Sequence, residues 1–117
     1  MTTTGTPQGN LSPAEPLTLI PAVQYAPGSI VSRTLLKTDT GTLTLFAFDE
    51  GQELSEHTAP FNALVQVLDG TATLVIGGKA VGVKTGELVL MPANVPHAVR
   101  AGGRFKMLLT MFRTAAK

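Results

Sequence analysis

Cysteine is absent from the 117 residues. That removes disulfides, thiolate metal centres, iron–sulfur clusters and cysteine nucleophiles together. Charge is also scarce. Nine Lys plus Arg against eight Asp plus Glu leave a formal net charge of +1. The basic stripe of a nucleic-acid binder is therefore missing, and no nucleic-acid partner is expected. No apolar run approaches about 18 residues, the length that spans a bilayer, so no membrane partner is expected. Residues 1–13 are rich in Thr, Gly, Pro and Ser. They lack the basic start and apolar core of a secretory signal, and a cytoplasmic location is expected. No stretch of helical period is long enough to trust, because glycine and proline interrupt too often.

Familiar catalytic signatures are missing as well. There is no Gly-x-Gly-x-x-Gly and no phosphate loop. None of Ser12, Ser29, Ser32 and Ser55 stands in a Gly-x-Ser-x-Gly elbow. Ser55 precedes His57 by two positions, which on a strand is about 7 Å and too far for a nucleophile and its base. Asp49, Glu50, Glu53 and Glu56 lie near turns and make no glycosidase pair.

What is present is a core-rich composition, 44% hydrophobic and 15% charged. Short runs of Leu, Val, Ile, Thr and Phe fill 17–20, 30–37, 43–48, 53–58, 63–68, 71–76, 80–83, 87–91, 97–101 and 105–112. Gly, Pro and Asp divide them. Such runs predict an all-β sandwich or barrel of about nine or ten strands. Asp69-Gly70 and Gly77-Gly78 read as tight hairpin turns. Residues 1–16 are expected to form a flexible tail and 17–117 a single domain. Runs 63–68 and 105–112 are apolar on both faces. The two sheets and an N-terminal strand can cover them, or a homodimer can bury the outer face of one sheet; the homodimer is expected.

The chain has two histidines, His57 and His97. His57 follows Gly51 and precedes Gly70. His97 follows Gly86 and Pro92, with Asn94 between them. This pattern resembles the two motifs of a small single-domain cupin. The first of those motifs runs from a glycine through a His-x-His pair and a glutamate to a second glycine. The second runs from a glycine through Pro-x-Gly to a histidine and an asparagine. Gly51, His57, Gly70, Gly86, Pro92 and His97 fall in place. Asn94 stands for the middle glycine, a mild change because Asn also tolerates the left-handed region. Ala101 stands for the final Asn. The resemblance covers residues 30–112 and implies a double-sheet jelly-roll barrel.

It also implies a metal site, and here the chain departs. Ala59 occupies the second-histidine position and Ala63 the glutamate position. Neither can ligate. His57 and His97 remain as metal ligands for one divalent transition ion, Zn, Ni, Mn, Fe or Cu, held weakly and completed by water or substrate. Glu53 shares strand parity with His57 but lies about 13 Å away. Gln66 has the opposite parity to Ala63 and reaches the site only through a bulge. Arg100 points away from His97. Met91, Met107 and Met111 read as core filler or as the lining of an adaptable pocket. Glu87 reads as a turn residue.

The sequence thus predicts a pocket inside the barrel, lined by His57, His97, Ala59 and Ala63 and rimmed by Phe61 and Asn62. It binds a small molecule, with the metal site reduced or lost. The alternative is a metal-dependent dioxygenase or isomerase built on the two histidines, and a purely structural domain is the third reading.

Overall fold

The dividers between the runs decide where the chain turns. In a computed structural model, residues 9–113 are described. They form β1 (Ile30–Thr38), β2 (Gly41–Phe48), β3 (Glu53–His57), β4 (Asn62–Asp69), β5 (Thr71–Ile76), β6 (Lys79–Lys84), β7 (Leu88–Met91), β8 (His97–Arg100) and β9 (Phe105–Phe112). Gly77 and Gly78 both take positive φ, 58° and 82°. Their two-residue turn joins β5 to β6 as a hairpin, as expected.

Asp69-Gly70 behaves differently. β4 and β5 belong to different sheets, so this dipeptide is a corner and not a hairpin. Gly70 has φ 78°, and a Cβ there would collide with the carbonyl oxygen of Arg104. Glycine is required twice over, once by conformation and once by space.

The sheets run β1-β2-β9-β4-β7 and β3-β8-β5-β6. Antiparallel pairing is nested: β2 with β9, β3 with β8, β4 with β7 and β5 with β6. Consecutive strands alternate between sheets from β2 to β5 and again from β6 to β9. This is the jelly-roll path. Phe48, Val65, Val67, Phe105 and Met107 from one sheet meet Ala72, Leu74, Val83 and Val99 from the other in a shared core. Phe48 and Phe105 stack with ring centroids 4.5 Å apart.

A second, smaller core lies on the outer face of the five-stranded sheet. Val23, Leu35, Leu45 and Ala47 are buried there, with Leu11, Leu17 and Leu19 packed against them. The covering segment is not a strand, against expectation for 17–20. Pro21 cannot donate to a ladder, and the chain makes a 3-10 turn at Ile20–Ala22 instead. Residues 1–8 of the expected tail lie outside the described residues. Further along, Leu11 N–H donates to Leu35 O at 3.0 Å and Arg33 Nε donates to Asn10 Oδ1 at 3.1 Å. Asn10 and Leu11, within the segment expected as a tail, thus bond to β1.

Lys106 clamps this segment. It is 5% exposed, and its ammonium donates to Ile20 O at 2.7 Å while lying 5.0 Å from the Tyr25 ring centroid. A buried cation needs such partners. Tyr25 donates to Asp69 Oδ2 at 2.6 Å. Burial, followed by that bond to Asp69, pushes its hydroxyl well above the ordinary tyrosine range.

Candidate ligand cavity

The nested pairing brings the two histidine segments together. β3 carries His57 and β8 carries His97, and the ladder sets the two directly opposite each other. Their ring centroids are 4.4 Å apart, edge to face. A register shift between Leu54 and His57 lets both side chains turn inward. Strict alternation had put His57 with Glu53. The bulge breaks that parity, so Glu53 is exposed and pairs in register with Arg100 instead. Gln66 is exposed on the outer face. Neither joins the site.

Each histidine is held by its own strand. His57 Nδ1 lies 2.9 Å from Ser55 O, and His97 Nδ1 lies 3.1 Å from Val95 O. A carbonyl oxygen only accepts, so both Nδ1 atoms carry the proton. A ring that donates from Nδ1 to a carbonyl can leave Nε2 as an acceptor, the arrangement suited to binding a cation or accepting from a donor. His97 is 8% exposed, whereas His57 is open to solvent.

Below them lies a cavity of about 60 Å³, lined by His57, His97, Ala59, Phe61, Ala63, Met91, Met107 and Met111 with Leu54, Val99 and Leu109. The histidines supply its only polar side chains. Five of the six expected pocket residues therefore meet in one place. Asn62 does not: its Oδ1 accepts from Ala93 N–H at 3.0 Å and ties the loop after β3 to the loop after β7. Asn94, with φ 65°, reinforces this tie by donating its N–H to Ala59 O at 2.8 Å. Arg100 is exposed, as parity required.

Sequence reasoning missed Arg113. Its guanidinium lies 5.6 Å from the Phe61 ring centroid, and its Nη2 donates to Asp39 O at 2.9 Å. The residue after β9 thereby holds Phe61, which lines the cavity. Leu54 was also missed, since only the bulge turns it inward. A larger hollow of about 630 Å³ lies between residues 9–15 and Leu36, with Glu15 its one ionisable side chain. It gathers no constellation of chemical groups.

The divalent site that the motifs imply is not completed here. Among the described residues, no three of His, Cys, Asp and Glu come together. Methyl groups at Ala59 and Ala63 leave two imidazoles without a carboxylate, short of the three protein ligands of an open zinc site. Charged groups gather at the other end of β9. There Arg104 Nε donates to Asp49 Oδ1 at 2.8 Å and Gly28 N–H donates to Asp49 Oδ2 at 2.6 Å. The Arg104 guanidinium first, and then that N–H, hold the Asp49 carboxyl down from 3.8 to about 2.

Among the described residues, no helix is long and apolar enough to cross a membrane. Comparison with known proteins agrees with the fold and the motifs. Residues 44–112 match the cupin domain family. A conserved protein of unknown function from Streptococcus pyogenes, SPY1581, is 32% identical over 98% of both chains, with a TM-score of 0.86. A cupin 2 conserved barrel domain protein from Leptotrichia buccalis is 41% identical over 83% of this chain and 47% of its own, with a TM-score of 0.81. A cupin superfamily protein from Desulfitobacterium hafniense is 27% identical over 90% of this chain and 96% of its own, with a TM-score of 0.83. No curated protein matches. With its nested strands and both motif histidines facing one cavity, the chain belongs to the cupin family.

Proposed function

We propose that this protein binds a very small ligand in the cavity headed by His57 and His97. The observation that carries this reading is a pair of histidines, each with Nδ1 against a carbonyl oxygen of its own strand, lining an otherwise apolar space. Two acceptors at the mouth select a donor group or a cation, and the methionine and alanine walls select an apolar body. Volume limits the ligand. At roughly 10–15 Å³ per water-sized group, 60 Å³ takes only a handful of atoms.

Thermal-shift titration with short-chain alcohols, primary amides and alkylammonium ions tests the reading. At least one class should raise the melting temperature of the parent and leave His57→Ala unmoved. Equal responses in both proteins, or no response in either, would overturn it.

A homodimer belongs to the same proposal. Leu88 and Leu90 are 60% and 51% exposed on the outer face of β7, an edge strand. They are in register with Gln66 and Leu64, and Phe112 extends the strip at 40% exposure. An apolar edge of this kind is what a second copy covers.

A further inference from the structure

The two imidazoles share their cavity with sulfur. Of the four methionines in the chain, Met91, Met107 and Met111 line it. Two of them are placed by register: Met91 on β7 and Met111 on β9 both pair with Ala63 on the strand between. Ala63 is the position where the motif would carry a carboxylate. This chain has a methyl group there, with a thioether on each side.

Hard, oxygen-seeking cations such as Mg²⁺, Ca²⁺ and Mn²⁺ find no oxygen ligand in such a lining. The set is neutral throughout, two imidazole nitrogens and thioether sulfurs. Burying a divalent charge among neutral donors costs far more than burying a single charge, because the solvation penalty grows with the square of the charge. Soft thioether donors favour Cu(I). The cavity has room for one ion and a few water-sized groups beside it. His57 is open to solvent and provides the way in.

We infer that the cavity is a soft-cation site that takes Cu(I) on Nε2 of His57 and His97, with thioether sulfur from Met91 or Met111 completing the shell. This rests on the cavity being the ligand site and names the class of ligand. Methionine as adaptable core filler makes a different forecast, because filler is indifferent to the ion.

The test titrates the full chain with Cu(I) under anaerobic, ascorbate-reduced conditions against the chromogenic chelator bicinchoninate, with Zn(II) in parallel. The parent, His57→Ala and a Met91→Leu/Met111→Leu double variant are compared. Leucine keeps the volume, and His57 is exposed, so the folds should survive, which thermal melts check. One Cu(I) per chain is expected in the parent. Binding should vanish in His57→Ala and weaken at least about tenfold in the double leucine variant, while any Zn(II) binding stays unchanged there. Silver(I), which needs no reductant, should shift the methyl resonances of Met91 and Met111 in methionine-labelled protein.

Failure of the parent to hold Cu(I) against the chelator would overturn the inference. So would equal Cu(I) affinity in the leucine variant. If Cu(I) fails while a short-chain organic ligand still distinguishes the parent from His57→Ala, only this inference falls. If both fail, the cavity is not a ligand site.

Discussion

Met91 and Met111 lie on the two neighbours of β4, each in register with Ala63. That alignment follows from the nested pairing of the jelly roll, which sets β4 between β7 and β9 just as it sets β3 beside β8. A change of side chain at one rung therefore alters the site seen by three strands. Restoring the missing donors should restore a divalent site. Ala59→His/Ala63→Glu is expected to bind one Zn(II) or Ni(II) per chain by elemental analysis, where the parent binds little. A variant that folds yet holds no more metal than the parent would show that these two methyl groups are not what limits the site.

Gly70 and Gly78 separate conformation from space. Both have positive φ, but only Gly70 has backbone in the way. Gly78→Ala should cost about 1–2 kcal/mol in urea unfolding, the cost of the left-handed region alone. Gly70→Ala should cost clearly more, through the clash with Arg104. Equal losses would remove the argument that this corner is sterically closed.

Asp49 predicts an acid signature. Its carboxyl is depressed in the fold, so its stabilising effect is present above 3.8 and is lost as pH falls toward about 2. The melting-temperature gap between parent and Asp49→Asn should be steady at neutral pH and close across that window. A gap that persists at pH 2 would contradict the pairing with Arg104 and Gly28.

Much of the architecture was legible in the sequence because glycine marks its own turns. Nine of the ten apolar runs are strands, and Gly77-Gly78 makes its hairpin. The first run failed because Pro21 breaks the ladder, and Asp69-Gly70 turned a corner between sheets, which local sequence does not distinguish from a hairpin. In the site, the motif spacing placed His57, His97, Ala59 and Ala63 around one cavity. The spacing did not reveal the bulge that turns Leu54 inward and separates His57 from Glu53. A bulge is a property of two paired strands, and β8 lies far along the chain from β3. For the same reason nothing local linked Arg113 to Phe61.

Self-association should depend on the strip along β7. Leu88→Glu/Leu90→Glu should shift the protein from dimer to monomer in light scattering after size exclusion, with the fold preserved in circular dichroism. Both side chains point to solvent within one chain, so the core is untouched. A parent that is already monomeric at high concentration would contradict the assembly.

The proposed ligand site requires Nε2 of both histidines to accept. Long-range ¹H–¹⁵N correlation spectra of histidine-labelled protein at neutral pH report the tautomer of each ring. The expected result is the Nδ1–H form for both His57 and His97, held by Ser55 O and Val95 O. Finding the proton on Nε2 of either ring would contradict it, because the cavity would then present a donor where the proposed ligand needs an acceptor.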